Sequence, residues 1–261
     1  MIDGRAIIDP SVVLGDNVSV GPWTTIGPDV ELGNDVTIAS HVVLKGPCKI
    51  GDGVKIYQFS TIGEDTPALA YQGEKSTLTI GANTVIREGV TIHRGMADGG
   101  VGRTEVGANC LLMAYVHVGH DCIVGNNVIM SNNASLAGHV EVGDYANFGG
   151  YAGVAQFRAI GAYTHMAAMS LILKDVPAYM TVSGNPAGAA GMNVEGMKRR
   201  GYEKATISAL RQAHKVVYRS GLGVKEALTE LAALRKEHAE VDLFATSIES
   251  SQWGIIRGRN A

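Results

Sequence analysis

The segment LLMAYVHVGHDCIVGNNVIMSNNASLAGHVEVGDYANFGGYAGVAQF, residues 111–157, carries a large apolar residue at every sixth position. A period of six matches neither the 3.6-residue repeat of an amphipathic helix nor the two-residue alternation of an isolated strand. Short strands that are joined by corners and stacked as a solenoid produce such a period. The apolar positions are Leu112, Val118, Val124, Met130, Leu136, Val142, Phe148 and Val154.

The same period covers most of the chain. It runs without a break from Ile8 to Ile62, resumes from Ile80 to Ile92, and continues from Val106 to Ile172. Since three hexads close one triangular coil, the pattern predicts about eight coils. The two interruptions, at residues 63–79 and 93–105, predict outward loops, which in repeat proteins commonly carry binding function.

In a stack of three-hexad coils, residues 18 positions apart lie above one another, roughly 4.8 Å apart. This spacing brings His120 and His139 close enough to reach one small substrate, and it predicts a functional site at their corner of the coil. The alternative is a pair of solvated surface histidines with no chemical role. The two neighbouring columns are His120, Gly138 and Gln156, and Asp121, His139 and Phe157.

Composition limits the classes of protein. The 261 residues are 46% hydrophobic with a formal charge of −3, which indicates a globular protein of one large or two modest domains. This charge does not favour a nucleic-acid-binding surface. The chain lacks a signal-peptide pattern and an apolar run of the roughly 20 residues that a membrane helix needs, so a cytoplasmic location is predicted.

The three cysteines, Cys48, Cys110 and Cys122, have no metal-like spacing. An odd, small number of cysteines predicts buried thiols in a reducing compartment. Cys122 lies two residues after His120 and is a candidate nucleophile, although repeat interiors also use cysteine as a small apolar filler.

The hexad pattern ends near Lys174, and the Pro- and Gly-containing residues 175–196 predict a linker. Helices are predicted over Tyr202–Ser220, Val224–Glu237 and Leu243–Ile256. We therefore expect two domains, a repeat domain at residues 1–190 and a helical domain at residues 191–261. The helical domain should cap the solenoid or join subunits, because it cannot bury its apolar face alone.

Several motifs in order carry a resemblance to a known family. They are YQGE at 71–74, HRG at 93–95, VHVGHDC at 116–122, NNASLAGHV at 132–140, GNP at 184–186 and NVEGMKRRG at 193–201. Over essentially the whole chain, this set resembles the UDP-N-acetylglucosamine O-acyltransferases of lipid A biosynthesis, which are hexapeptide-repeat acyltransferases. The resemblance implies a mainly β protein, a left-handed parallel β-helix with a C-terminal α-helical domain, assembled as a homotrimer with sites between subunits.

The resemblance also implies an activity. An (R)-3-hydroxyacyl group passes from an acyl carrier protein thioester to the 3-hydroxyl of UDP-N-acetylglucosamine, and no metal or other cofactor is needed. His120 would be the general base, Asp121 would hold its tautomer, and the Gly138 N–H would stabilise the oxyanion.

Matching positions imply the substrate contacts. His117, His139 and Gln156 would contact substrate from the coils, and Asn193, Glu195 and Arg199 would contact the nucleotide and its phosphates. Ala168 and Met169 would limit the length of the acyl chain, which is expected to lie along the coils above His120. Because Ala168 is of intermediate size, a mid-length chain is predicted.

The chain departs from the family's pattern at four positions. Ala155 stands where the family generally has a histidine, and Ala68 and Ala70 stand where it carries Asp and Lys. Lys75 replaces the usual proline and is the candidate substitute cation for Ala70. Substrate identity is therefore less firmly predicted than the class of reaction.

Two alternatives come from other classes. His117, His120 and His139 are compatible with a trimeric zinc carbonic anhydrase, since three neutral imidazoles and an open position suit catalytic Zn²⁺. A divergent paralogue with a changed acceptor or without catalysis is the other, and the alanines at 68, 70 and 155 favour it.

Overall fold

Each hexad forms a two-residue strand followed by a four-residue corner in the computed structural model, which describes residues 1–258. The apolar residue that ends each strand points into the coil. The third corner residue has a positive φ, as at Asn17 (57°), Asp121 (59°) and His139 (62°). Asn and Asp tolerate this left-handed conformation, whereas it costs other residues about 1–2 kcal/mol of conformational free energy. Every corner therefore turns in the same sense.

The strands form three parallel sheets, one for each face of a triangular prism. Where the six-residue period is unbroken, strands three apart along the chain pair with a register of 18 residues, so that His117 lies beside Ser135 and Ser135 beside Gly153. The predicted stacking is confirmed, and the fold is a left-handed parallel β-helix. Its nine, eight and ten strands per sheet agree with about eight coils.

Face 1 contains β1 (Ile7–Ile8), β4 (Thr25–Ile26), β7 (Val43–Leu44), β10 (Thr61–Glu64), β13 (Thr91–His93), β16 (His117–Val118), β19 (Ser135–Leu136), β22 (Gly153–Val154) and β25 (Leu171–Ile172). Face 2 contains β2 (Val13–Leu14), β5 (Val30–Leu32), β8 (Cys48–Ile50), β11 (Thr77–Ile80), β14 (Arg103–Val106), β17 (Ile123–Val124), β20 (Glu141–Val142) and β23 (Ala159–Ile160). Face 3 contains β3 (Ser19–Val20), β6 (Thr37–Ile38), β9 (Lys55–Ile56), β12 (Val85–Ile86), β15 (Leu111–Leu112), β18 (Ile129–Met130), β21 (Asn147–Phe148), β24 (His165–Met166), β26 (Met180–Ser183) and β27 (Gly188–Met192).

The core is the column of apolar side chains inside the prism. Ile62, Leu112 and Phe148 are completely buried there, between the coils above and below them. Burial of each such side chain stabilises the fold by about 1.5–3 kcal/mol relative to exposure. The first corner joins faces 1 and 2, the second joins faces 2 and 3, and the third joins faces 3 and 1, so the first corner lies opposite face 3.

The two interruptions of the period are outward loops, as predicted. The first loop, residues 65–76, connects β10 to β11, and the second loop, residues 94–102, connects β13 to β14. Arg94 is buried, pairs with Asp65, and donates hydrogen bonds to the carbonyls of Gly46 and Gly63. The base of the first loop is thereby held against the coils.

The region after the last hexad differs from the prediction. Residues 175–196 are not a simple linker, because β26 and β27 form an antiparallel hairpin and a short helix, α1 (Val194–Arg199), follows. The helix predicted over Tyr202–Ser220 is present as α2 (Lys204–Arg219).

The other two predicted helices have different bounds. The second is divided at the buried residue Leu231 into α3 (Val224–Glu230) and α4 (Ala232–Glu237). The third is α5 (Ala239–Glu249), which begins earlier and ends earlier than predicted. The segment after it forms a bridge to the last coil, where Asp175 pairs with Ile255.

The helical tail packs on the end of the prism, where Ala178 N–H donates to the Ser247 hydroxyl over 2.9 Å. The division into residues 1–190 and 191–261 stays a prediction, since β27 crosses it, and residues 259–261 lie outside the described residues. Within residues 1–258, the helices are too short or too polar to cross a membrane.

Candidate active site

The first corner brings the two predicted histidines together. The His120 and His139 rings meet edge to face with centroids 4.8 Å apart, and the Phe157 ring stacks on His139 at 4.4 Å. The column is held by the backbone, because His139 N–H donates to the His120 carbonyl and Phe157 N–H to the Gly138 carbonyl. Aromatic pairs of this geometry stabilise the positions of their rings.

Asp121 fixes the orientation of His120. Its Oδ2 atom lies 2.8 Å from His120 Nδ1, and the carboxylate is fully buried while the imidazole side chain is 13% exposed. Because a carboxylate accepts, Nδ1 carries the proton and Nε2 is left with its lone pair. His120 can therefore accept a proton at Nε2.

Gly138 lies directly against that nitrogen. A Cβ atom at position 138 would come 2.5 Å from Nε2, so the imidazole occupies space that only glycine leaves open. Within residues 1–258, the Gly138 N–H donates to no protein acceptor. A free N–H beside a potential base is the arrangement that an oxyanion requires.

The backbone of the second loop completes the surroundings of Asp121, which the sequence did not reveal. The Asp121 carboxylate accepts N–H groups from Met96 at 3.0 Å, Val101 at 2.8 Å and Gly102 at 3.1 Å. The Asp121 N–H donates to the Thr104 hydroxyl at 2.8 Å. The sequence indicated these contacts only through the position of the second loop, which interrupts the six-residue period one coil below His120 and His139.

The Asp121 carboxyl is ionised at neutral pH. Burial by itself would raise its pKa, but the hydrogen bonds from His120 and from the Met96 N–H, with the nearby histidines, outweigh burial and hold the pKa below its ordinary value. A negative carboxylate at this point stabilises the imidazolium that forms when His120 takes a proton.

His117 lies on face 1 next to the first corner. Its Nδ1 atom is 2.8 Å from the Thr91 hydroxyl, and its ring meets the His93 ring with centroids 5.5 Å apart. Burial, followed by repulsion from His93 and His120, lowers the pKa of His117. Burial likewise lowers the pKa of His139, with His120 acting in the same direction and Asp121 opposing it. Both imidazoles are therefore neutral donors or acceptors near pH 7.

His120, Asp121 and His139 place potential metal-ligand atoms within 4.8 Å of one another. The Asp121 oxygens already accept one imidazole and three backbone N–H groups, which leaves little lone-pair capacity for a cation. His117 already uses its Nδ1 atom in the contact with the Thr91 hydroxyl. This set suits proton transfer better than the metal binding of a carbonic anhydrase.

A groove of about 370 Å³ leads from this corner along face 2. Asp121 and His139 line one end, and Arg158 and Trp253 line the other. The Arg158 guanidinium lies over the Trp253 ring at 4.7 Å.

Asn193, Glu195 and Arg199 line a different groove, of about 690 Å³, on face 3. Asn193 caps α1 by accepting the Gly196 N–H, and its amide donates to the Tyr163 carbonyl. Glu195 and Arg199 are exposed and pair with each other at 3.3 Å. Since face 3 is opposite the first corner, one chain does not bring these three residues to His120.

Ala168 and Met169 lie in the third corner, between β24 and β25, and both are exposed. They therefore lie away from His120 of the same chain, and their role in limiting the acyl chain stays a prediction. The six-residue period places residue 168 on a different corner from residue 120, because 48 positions are eight hexads and not a multiple of three.

The remaining predicted residues lie outside the contact between His120 and Gly138. Gln156 is exposed in the first corner above Gly138, next to the half-buried Ala155. Lys75 is exposed on the first loop. Cys122 is buried, and burial raises the pKa of its thiol to about 12, which favours the apolar-filler interpretation over a nucleophile.

Comparisons with family models match both parts of the chain. Residues 175–256 match the second domain of UDP-N-acetylglucosamine O-acyltransferase, and residues 11–46, 29–64 and 103–138 match the bacterial transferase hexapeptide repeat.

Known proteins are similar over their full length. The acyl-[acyl-carrier-protein]--UDP-N-acetylglucosamine O-acyltransferase of Stutzerimonas stutzeri (strain A1501) is 54% identical over 98% of this chain and 99% of the relative. The LpxA structure from Acinetobacter baumannii is 44% identical with a TM-score of 0.96, and covers 98% of this chain and 99% of that chain. The UDP-N-acetylglucosamine acyltransferase structure from Arabidopsis is 31% identical with a TM-score of 0.87, over 98% and 100% of the two chains.

Proposed function

The chain belongs to the UDP-N-acetylglucosamine O-acyltransferase family and transfers an acyl group from acyl carrier protein to UDP-N-acetylglucosamine; within that activity, we propose that His120 is the general base. The observation that carries the proposal is the His120–Asp121 hydrogen bond with Nε2 directed at Gly138. We further propose that the acyl group is an (R)-3-hydroxyacyl chain, that it is transferred to the sugar 3-hydroxyl, and that this is the first step of lipid A biosynthesis.

The proposed chemistry begins with the sugar hydroxyl. His120 Nε2 accepts its proton as the oxygen attacks the thioester carbonyl, and Asp121 stabilises the imidazolium. The Gly138 N–H donates to the oxyanion of the tetrahedral intermediate. When the intermediate collapses, the C–S bond breaks and the imidazolium returns the proton to the leaving thiolate. The balance requires no redox partner, and we propose that no metal or other cofactor takes part.

We propose a homotrimer in which neighbouring chains share each site. The argument is topological, since His120 and the Asn193–Arg199 segment lie on opposite sides of one prism. If prisms pack side by side about a threefold axis, face 3 of one chain can meet the first corner of the next. His117, His139, Gln156 and Lys75 would then contact substrate together with Asn193, Glu195 and Arg199 of the neighbour. A cytoplasmic location, where acyl carrier protein is found, is part of the same proposal.

The test is mass spectrometry of the products formed from UDP-N-acetylglucosamine and a panel of 3-hydroxyacyl carrier proteins. We expect a single 3-O-acylated sugar nucleotide, and at least ~10²-fold slower turnover by His120→Ala. His41→Ala, a change at an exposed corner histidine, is the matched control and should turn over normally. Normal turnover by His120→Ala would remove this residue from the mechanism. A wild-type protein that acylates no sugar nucleotide would support the non-catalytic paralogue.

A further inference from the structure

A backbone hydrogen bond connects many corners of the prism to the coil below. The corner residue with the positive φ donates its N–H to a carbonyl of that coil. At the corners of His139 and Tyr145 the acceptor lies 19 positions earlier, at His120 and Asn126, and both N···O distances are 2.9 Å. This bond fixes the direction in which the backbone of each corner turns.

The corner that carries His120 and Asp121 is held differently. The residue 19 positions before Asp121 is Gly102, at the end of the second loop, and its carbonyl accepts the Thr77 N–H at 3.1 Å. The Asp121 N–H donates instead to the hydroxyl of Thr104 at 2.8 Å. Directly below the proposed base, a side chain therefore replaces the backbone carbonyl that other corners use.

Thr104 is completely buried on β14, where the chain rejoins the coils after the second loop. The equivalent inward positions of the coils below and above are apolar, at Leu78 and Cys122. A hydroxyl among apolar side chains costs free energy unless it is hydrogen-bonded. Packing alone would favour an apolar residue at position 104, whereas the hydrogen bond to Asp121 gives the hydroxyl a partner.

The hydrogen bond acts on the peptide group that joins the two site residues, because the Asp121 N–H belongs to the peptide bond between His120 and Asp121. A buried N–H that loses its acceptor is costly, so this peptide group would turn towards another acceptor. Such a turn would change the directions of both side chains. The 2.8 Å contact between His120 Nδ1 and Asp121 Oδ2 depends on those directions.

We propose that Thr104 is a positioning residue for the His120–Asp121 pair. Its hydroxyl fixes the plane of the peptide group between them and so keeps His120 Nε2 against Gly138. The proposal rests on the general-base role proposed for His120, and it adds the group that sets the position of this base from the coil below. A displacement of about 1 Å at a reacting group can reduce turnover ~10²-fold.

The test exchanges the hydroxyl for groups of similar size. Thr104→Val keeps the shape and removes the acceptor, whereas Thr104→Ser keeps the acceptor. We expect kcat to fall at least ~10-fold in Thr104→Val and to stay within threefold in Thr104→Ser, with the KM for UDP-N-acetylglucosamine within twofold in both. Thr104→Cys carries a weak acceptor and should lie between them. Since Cys122 occupies the same position one coil above, Thr104→Cys serves if Thr104→Val does not fold.

Thr24→Val is the matched control. Thr24 is also completely buried, and its hydroxyl accepts the Val42 N–H at 3.2 Å, several coils below His120. Removing this hydroxyl should lower the melting temperature, as in Thr104→Val, but should leave kcat within twofold of the wild type.

A measurement without turnover separates this proposal from the mechanism. The His120 Nδ1 proton gives a low-field NMR resonance, which is identified by its loss in His120→Ala. It should shift or disappear in Thr104→Val and persist in Thr24→Val. An unchanged resonance in Thr104→Val overturns the proposal, and so does an equal loss of kcat in Thr24→Val. A shifted resonance with a normal kcat supports positioning by Thr104 and overturns the general-base role of His120 instead.

Discussion

Nδ1 of His120 lies 2.8 Å from Oδ2 of Asp121, and the same carboxylate holds the second loop through the N–H groups of Met96, Val101 and Gly102. One buried side chain thus orients the proposed base and anchors a loop beside it. The hydrogen bonds to the loop also fix the carboxylate, so that His120 meets a rigid acceptor. The orientation of the proposed base and the position of the second loop are therefore coupled at Asp121.

Asp121→Asn should reduce kcat at least ~10²-fold, because the amide can donate to Nδ1 and so favour the wrong imidazole tautomer. Its NH₂ group would also face backbone donors, so the melting temperature should fall. Steady-state kinetics and thermal unfolding measure the two effects.

Asp144→Asn is the matched control for this change. Asp144 also lies in a corner and accepts the backbone N–H of Asn126 at 2.7 Å, but among residues 1–258 it has no imidazole partner. We expect that variant to keep its kcat within twofold. Equal losses of kcat in the two variants would mean that Asp121 serves the fold alone.

Gly138→Ala tests the contact between this glycine and His120. The new methyl group would come 2.5 Å from Nε2, so the imidazole must move, and kcat should fall at least ~10²-fold. Gly150→Ala is the control at the equivalent corner position, where the methyl group would meet only the Asn132 carbonyl at 3.4 Å. Crystal structures of both variants would show whether the ring moves. A displaced ring with unchanged kcat would contradict the general-base proposal.

The coils and the first corner were predictable because a strict period turns sequence separation into spatial position. Once 18 residues equal one coil, Gly138 must stack on His120. The contacts of Asp121 with residues 96–102 were not predictable in this way, since the second loop leaves the period and its backbone path is set by packing. The β26–β27 hairpin was missed for a similar reason, because the glycines and prolines of residues 175–196 indicate turns but not which segments between them pair.

His117 predicts a pH dependence of stability. Its pKa is lowered in the folded protein, chiefly by burial, so below the ordinary histidine pKa of about 6.5 the unfolded chain binds more protons than the folded one. Stability should therefore fall as the pH decreases from about 7 towards 5. In His117→Asn this contribution is absent, and the asparagine can still contact Thr91. Melting temperatures at pH 8 and pH 5 should show a smaller decrease for this variant than for the wild type or for His41→Asn. An identical decrease of the melting temperature in all three proteins would mean that groups other than His117 cause the pH dependence of stability.

Lys75 tests whether the first loop contacts substrate. Ala70 and Ala155 lack a charge and an imidazole that the family pattern has, and such contacts contribute roughly 1–3 kcal/mol when desolvated. If Lys75 is the substitute cation, Lys75→Ala should raise one substrate's KM several-fold, and Ala155→His with Ala70→Lys should lower it. Lys55→Ala, at an exposed position on β9, should leave both KM values unchanged. Unchanged KM values in the loop variants as well would place this loop outside the site and favour a different acceptor.

Acyl-chain length tests the third corner, and with it the shared site. Ala168 and Met169 are exposed there and lie away from His120 of the same chain, so they can limit the acyl chain only across a subunit boundary. We expect the wild type to prefer a mid-length 3-hydroxyacyl chain, Ala168→Met to prefer a shorter one, and Met169→Gly a longer one, because side-chain volume at the end of an apolar channel sets its length. Ser40→Met, at the same corner position of an early coil, should keep the wild-type profile. Competition between carrier thioesters of different length gives the profile, and light scattering should find a trimer in every case. An unchanged length profile in both third-corner variants would mean that other residues limit the acyl-chain length. A fully active monomer would refute the shared site itself.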